Sequence, residues 1–292
     1  MLENVKFGVI PCAGKGTRFL PITKSVSKEM LNIIDRPTID YIVDELIDSG
    51  IKDIVFVVSP SKTDIKKYYS KDESLINELK ESHKEEYIKE IEKLTSKANF
   101  YYVTQKEALG LGHAVLMAKE IVHDNNFVVC CGDDITLYDK CNPPIKSLIE
   151  AFNLTHSTIV GGQKVEHSLI NKYGSMDIEK NIDETLFKLK GIVEKPSLDK
   201  APSDYASLGK WVFKPNIFNE LEHTKKGLGN EIQLTDAIES LIKKEDVYFK
   251  IFNGKRYDCG DKLGFLKAII DISLTRDDLK DGFLKYIKSI IK

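Results

Sequence analysis

Apolar runs and helix-period segments alternate along the first half of the chain. Val5–Pro11 (VKFGVIP), Asp53–Ser59 (DIVFVVS), Phe100–Gln105 (FYYVTQ) and Phe127–Cys131 are short and rich in β-branched or aromatic residues, as strands are. Between them, Thr38–Ser49 carries Ile39, Ile42, Val43, Leu46 and Ile47 on one helical face, and Gly50 stops it. Gly112–Val122 reads as a second helix. Near-continuous apolar strands alternating with helices imply parallel strands covered on both faces. With right-handed crossovers, the expected fold is α/β: a doubly wound, Rossmann-like mixed sheet with helices on both faces. No repeat or low-complexity tract divides the chain, so residues 1–292 are read as a single domain.

Two stretches depart from this rhythm. Residues 71–97 are charged and helix-prone, with Leu75, Ile76, Leu79, Ile88, Ile91 and Leu94 as their apolar positions. Gly and Pro are absent there, which favours a helical surface insertion over a linker. Beyond a strand at Ser157–Val165 the pattern loosens. Strands are expected near Leu186–Val193 and Tyr205–Phe213, and helices at Glu231–Lys244 and Lys262–Thr275. The last segment, 277–291, is amphipathic, with Leu279, Phe283, Leu284, Ile287, Ile290 and Ile291 in one stripe. Such a C-terminal helix docks on its own domain or on a second subunit.

Composition narrows the class of protein. An apolar fraction of 42% excludes wholesale disorder. The 43 basic and 45 acidic residues leave a net charge of −2, which gives no global field for nucleic acid or an anionic membrane. No run approaches the roughly 18 apolar residues that a bilayer span requires. The N-terminus lacks the basic start and apolar stretch of a secretory leader. The five cysteines are odd in number and lack metal-ligand spacing, and Cys130 and Cys131 read as buried small hydrophobes. A soluble, reduced, cytoplasmic protein is therefore expected.

The chemistry begins where the first strand runs into Pro11-Cys12-Ala13-Gly14-Lys15-Gly16-Thr17-Arg18. Glycines directly after a strand let backbone N–H groups turn toward an anionic phosphate, and Arg18 adds a planar fork of donors. Two known phosphate loops fail by inspection. With Gly14-Lys15 as the Gly-Lys of a Walker A loop, position 9 is Val and position 16 is Gly. A dinucleotide fingerprint needs Gly at 19, where Phe stands. Downstream, Lys24, Lys28 and Glu29 lie within 21–31, where each basic side chain could equally be solvated surface.

The spacing G-x-G-T-R-x(9)-K-E resembles the signature of sugar-1-phosphate nucleotidylyltransferases, and the resemblance extends along nearly the whole chain. Gln105 followed by Gly110-Leu111-Gly112-His113-Ala114 is similar to their base-recognition segment. Gly132-Asp133-Asp134, Tyr173-Gly174, Val193-Glu194-Lys195-Pro196, the run from Glu231 to Ala237, and Asp258-Cys259-Gly260 follow in order. GLGHA, VEKP, EIQLTDA and DCG together resemble the bacterial UTP–glucose-1-phosphate uridylyltransferases. Gly132 departs from the Pro usual at the metal strand and resembles the thymidylyltransferases instead.

The resemblance implies transfer of a uridylyl group from UTP to glucose 1-phosphate with Mg²⁺, which Asp133 and Asp258 would hold. Asp134 is expected to face away, as strand neighbours do. Arg18, Lys28 and Lys195 would neutralise the phosphates. Ala13, Gly14, Gly16, Thr17, Gln105 and Gly110 would bind the nucleotide, with the Gln105 carboxamide offering both a donor and an acceptor to uracil. Gly174 and Glu194 would contact the sugar. Capping or surface pairing is the plain alternative for each of these, and packing or capping is the expectation for His113. The sequence leaves open the directions of Lys15 and Glu29, and Glu231 and Asp236 read as helix-start residues. Implied partners are UTP, glucose 1-phosphate and copies of the chain in a homodimer or homotetramer. A thymidylyltransferase and a non-catalytic nucleotide-sugar sensor are the alternatives.

Overall fold

The computed structural model describes residues 5–291, so residues 1–4 and 292 of the domain read above lie outside the described residues. A nine-stranded sheet organises the chain, in the order Asn99–Thr104, Asp53–Val58, Val5–Pro11, Asn126–Cys130, Tyr205–Phe213, Thr158–Lys164, Val247–Ile251, Leu186–Glu194 and Gly174–Asn181. The first four strands are parallel, as the alternation predicts. The other half is mixed. Tyr205–Phe213 runs antiparallel to both of its sheet neighbours, and only Val247–Ile251 restores a parallel pair, with Thr158–Lys164. The reason is local for Gly174–Asn181 and Leu186–Glu194, which a four-residue turn at 182–185 joins, and a turn that short forces antiparallel pairing.

The strand Val5–Pro11 shows how the sheet divides the core. Phe7 and Val9 pack into one buried cluster, while Ile10 and Cys12, beyond a change of face, pack into the other. On one side lie the helices Thr38–Asp48, Pro144–Thr155 and Lys262–Thr275; on the other lie Leu111–Met117, Ile217–His223 and Leu234–Ile242. Two elements depart from their expected bounds. The segment 112–122 divides into Leu111–Met117 and Lys119–Val122, and the helix expected from Glu231 begins at Leu234.

Residues 71–97 form a helical hairpin, Glu73–Glu81 and Glu85–Ser96, as expected. It buries Ile76 and Ile88, and Leu94 packs against the core of the domain. Lys97, just past its end, pairs with Asp40 and Asp44 on Thr38–Asp48, which staples the insertion to the core. The helix Lys280–Ile290 packs on Lys262–Thr275 but buries none of its own residues.

One fold-level feature has no counterpart in the expected pattern. Lys210 lies on the buried strand Tyr205–Phe213 with its side chain 0% exposed, and its Nζ is 3.0 Å from Glu45 Oε2, itself 1% exposed. Burial opposes the lysine's charge, and Glu45 reverses that effect and keeps it protonated.

Candidate active site

The site lies along the ends of the parallel strands. Beyond Pro11 the chain turns through Gly14 and Gly16, and Gly16 takes the left-handed conformation (φ 62°) that starts a 3₁₀ turn at Thr17–Phe19. Ala13, Gly14, Lys15, Gly16 and Thr17 line a cavity of about 460 Å³, and Gln105, Gly110, Lys28 and Asp133 line its other walls. A further open recess of about 640 Å³ continues from the loop to Ser61 and Lys62. A smaller cavity, about 200 Å³, is lined by Arg18, Gly174, Glu194, Lys195 and Asp258. Asp133, Cys131 and Leu111 line both the 460 Å³ and the 200 Å³ cavities, so the two meet there. Every residue predicted for the site is thus gathered in one place, Arg18 on the side of the smaller cavity.

The loop rests on a charged layer. Lys28 reaches under the glycines, its Nζ 2.5 Å from Asp133 Oδ2. Burial works against both charges, but each supports the other. Asp133 is held below the usual carboxylate range by Lys28 and, beyond it, Arg18; Lys28 is held above the ordinary lysine value by Asp133 and Glu29. Glu29, whose direction the sequence leaves open, points inward and is fully buried. Lys62, which sequence reasoning misses, donates to Glu29 Oε2 at 2.8 Å and to the Cys12 carbonyl at 2.5 Å. Burial raises Glu29 despite its two lysine neighbours.

Asp133 and Asp258 approach each other across Gly260. A Cβ built on Gly260 would strike Asp133 Oδ2 and lie 3.0 Å from Asp258 Oδ1 and 2.8 Å from an Arg18 nitrogen. The Gly260 amide donates to Asp258 Oδ1 at 2.9 Å, and the Cys259 amide donates to the Asp133 carbonyl at 2.8 Å. Among the described residues no group of three or more His, Cys, Asp or Glu is placed to hold a metal ion. Two converging carboxylates fit a hard cation such as Mg²⁺, which takes its remaining ligands from phosphates and water.

The sequence places Asp133 and Asp134 at a strand end, and the structure differs in detail. The strand ends at Cys130, Asp133 sits in the following turn, and Asp134 opens the short strand Asp134–Leu137, which pairs antiparallel with Lys255–Asp258. Asp134 turns away from the carboxylate pair, as expected, toward Arg256. Arg256 grips both of its oxygens and also donates to the Tyr173 hydroxyl at 3.0 Å. Neither Arg256 nor this chain of contacts is visible in the sequence motifs. Cys130 is buried as expected, but Cys131 is only half-buried because it lines both cavities.

In the smaller cavity, Glu194 ends its strand with Oε2 accepting from Thr235 Oγ1 at 2.9 Å and Oε1 3.1 Å from Lys195 Nζ. Lys195 sits in the left-handed region (φ 43°) and donates its amide to the Tyr173 carbonyl at 3.0 Å. Such a conformation is uncommon for a lysine and is held here by its neighbours. Ser207 Oγ and Trp211 Nε1, from residues that line the same cavity, are buried with no hydrogen-bond partner among the described residues. Gly132 has a packing reason: a Cβ there would lie 2.9 Å from Glu29 Cγ and 3.2 Å from Cys12 Sγ. In this chain a side chain at 132 would crowd the layer beneath the loop.

A glycine-turned loop at the end of a parallel sheet, backed by lysines and facing two carboxylates, defines a nucleotidyl-transferring site. The sequence model of the nucleotidyl transferase family matches residues 7–274. The chain is 40% identical to a UTP–glucose-1-phosphate uridylyltransferase of Bacillus subtilis, over 100% of this chain and 97% of that one. It is 42% identical to one from Staphylococcus saprophyticus, over 99% and 100%. Among solved structures, a UTP-bound UDP-glucose pyrophosphorylase from Acinetobacter baumannii superposes with a TM-score of 0.91 at 34% identity, covering 99% of this chain and 100% of that one. A UDP-glucose pyrophosphorylase complexed with UDP-glucose gives 0.85 at 34%, over 94% and 100%. The chain belongs to the nucleotidyl transferase family and, within it, to the UTP–glucose-1-phosphate uridylyltransferases.

Proposed function

We propose that this chain transfers the uridylyl group of UTP to glucose 1-phosphate, with the nucleotide in the larger loop cavity and the sugar phosphate in the smaller one. The observation that carries this arrangement is the meeting of the two cavities at Asp133, beside Lys28. A phosphate oxygen of glucose 1-phosphate attacks the α-phosphorus in line, the bond to the β-phosphate breaks, and pyrophosphate leaves. The chain needs no nucleophile of its own, so its contribution is position and charge.

The backbone of Ala13, Gly14, Gly16 and Thr17 meets the triphosphate. Lys28 neutralises it from below, and Arg18, 59% exposed and only loosely paired with Asp258, swings onto the phosphates from the other side. Lys195 lies between the sugar phosphate and the α-phosphate. Glu194, held by Thr235, accepts hydrogen bonds from sugar hydroxyls, and the Gly174 backbone completes that contact. The orphaned Ser207 hydroxyl and Trp211 indole N–H favour a ligand bearing many hydroxyls. Gln105 and Gly110 meet uracil. Asp133 and Asp258 would hold Mg²⁺, which would supply neutralisation of phosphate charge and polarisation of the reacting phosphoryl group.

A homodimer or homotetramer is supported by Leu263, Leu266 and Ile270, spaced along one face of Lys262–Thr275 and 60%, 56% and 42% exposed. Among the described residues no helix is long and apolar enough to cross a membrane.

Pyrophosphate release from UTP, dTTP and CTP, each with glucose and galactose 1-phosphates, tests the assignment. UTP with glucose 1-phosphate is expected to be the fastest pair. A large preference for dTTP would replace uridylyl by thymidylyl transfer. Binding of UTP with no turnover on any sugar phosphate would establish a sensor.

A further inference from the structure

Gln105 follows the strand Asn99–Thr104 and is buried in the wall of the loop cavity. Its amide nitrogen donates to the Gly110 carbonyl at 3.2 Å and lies 2.8 Å from His113 Nδ1. A carbonyl can only accept, so the Gly110 contact decides which end of the carboxamide faces inward. The Gly110 carbonyl is itself well anchored. Gly110 has φ +96°, and a Cβ there would lie 2.6 Å from Glu231 Cβ, so only glycine fits. On either side, the Ile232 amide donates to the Leu109 carbonyl at 2.7 Å and the Gly112 amide to the Ile232 carbonyl at 2.9 Å. Both hydrogens of the Gln105 amide are then engaged. His113 Nδ1 must present its lone pair, with the ring proton on Nε2. The expectation that Gln105 offers uracil both a donor and an acceptor is thereby corrected: its nitrogen is committed inward, and the carbonyl oxygen is the group left for the base. That oxygen can accept from the N3–H of uracil. It meets a lone pair at N3 of cytosine.

We propose that neutral His113 is the positioning residue that locks Gln105 in its uracil-reading orientation, and so sets the preference for UTP over CTP. The proposal rests on the assignment of Gln105 as the base contact. A proton on Nδ1 would oppose the Gln105 amide donor to a second donor. The carboxamide relieves that clash by turning over, which gives its oxygen to the imidazolium and its nitrogen to the cavity, and gives up the Gly110 bond. A nitrogen donor complements N3 of cytosine and opposes the N3–H of uracil. Selectivity therefore falls as His113 gains a proton. Burial holds His113 below its ordinary value of 6.5; Glu107 pulls the other way and Lys226 acts with burial. The loss lies below that ordinary value.

The test is the ratio of kcat/KM for UTP to that for CTP, measured with glucose 1-phosphate. Both nucleotides carry the same triphosphate, so its own titration cancels. From about pH 7.5 to about pH 5.5 the unmodified enzyme is expected to lose about tenfold in this ratio. His113→Asn keeps a polar group near the place of Nδ1 without titrating, and its ratio is expected to stay high and flat with pH. His113→Ala is expected to lower the ratio about tenfold at every pH, through KM for UTP more than through kcat. A flat ratio in the unmodified enzyme, or an unchanged ratio in His113→Ala, overturns the role of His113. Gln105→Ala separates the two levels. If it collapses the ratio while His113 variants do not, the base contact stands and the positioning role falls; if it too changes nothing, the base contact itself is wrong and the proposal falls with it.

Discussion

Lys28 and Asp133, 105 residues apart in the chain, form an ion pair with 2.5 Å between Nζ and Oδ2. Both are assigned to the reacting phosphates, one directly and one through a cation, so without substrates each neutralises the other in a largely buried place. The pair keeps two opposite charges ready without leaving either unpartnered.

Replacing Lys28 by Met removes a charge aimed at the phosphates. Turnover is expected to fall by about a hundredfold or more, measured as pyrophosphate release at saturating UTP. Activity within about threefold of the unmodified enzyme would show Lys28 to be a structural partner of Asp133 and nothing more.

Metal dependence is expected to follow the carboxylate pair. Asp258→Asn should raise the Mg²⁺ concentration needed for half-maximal rate by about tenfold or more, and a chelator should abolish turnover in the unmodified enzyme. Gly260→Ala, which would push a methyl group between the two carboxylates and Arg18, should do comparable damage while leaving the circular dichroism spectrum unchanged. An unaltered Mg²⁺ titration in both variants would remove Asp258 from the metal site.

Much of this site was legible in the sequence because its parts are strand-end motifs. Glycines after Val5–Pro11, an acidic pair after Asn126–Cys130 and Asp258 at the end of Lys255–Asp258 each announce themselves by type and position. Contacts between distant segments were not legible. Lys62 sits in a loop with nothing to tell it from surface lysines, yet it crosses to Glu29 beneath the phosphate loop. The interior orientation of the Gln105 amide depends on a carbonyl and an imidazole that only the folded chain brings together. Which strands of the mixed sheet pair antiparallel was only partly legible: the short turn at 182–185 forces it for Gly174–Asn181 and Leu186–Glu194, but the strand–helix rhythm does not announce it. The Glu45–Lys210 pair is another contact between distant segments that sequence reasoning missed. A lysine within the apolar strand ASLGKWVF requires a buried partner, and Glu45 falls in phase with Ile42 and Leu46.

That pair invites a stability measurement. Lys210→Met leaves Glu45 as a buried, unpartnered charge and is expected to cost about 3–5 kcal/mol in urea unfolding. The double replacement Glu45→Gln with Lys210→Met should recover most of this loss. Additive losses in the double variant would show that the two residues do not act as a pair.

The exposed face of Lys262–Thr275 gives a prediction about assembly. Light scattering is expected to show a dimer or tetramer of the 33.1 kDa chain, and Leu266→Glu should shift it toward the monomer. A monomer in the unmodified protein would show that the face has another use.

The ladder that joins Asp134–Leu137 to Lys255–Asp258 stands outside the main sheet, and Asp258 is directly opposite Asp134 in its register. The last residue of the site therefore arrives more than a hundred positions after the first carboxylate. A chain cut short before residue 258 would carry only half of the carboxylate pair. Activity, on this assignment, doubles as a sign that translation has passed residue 258.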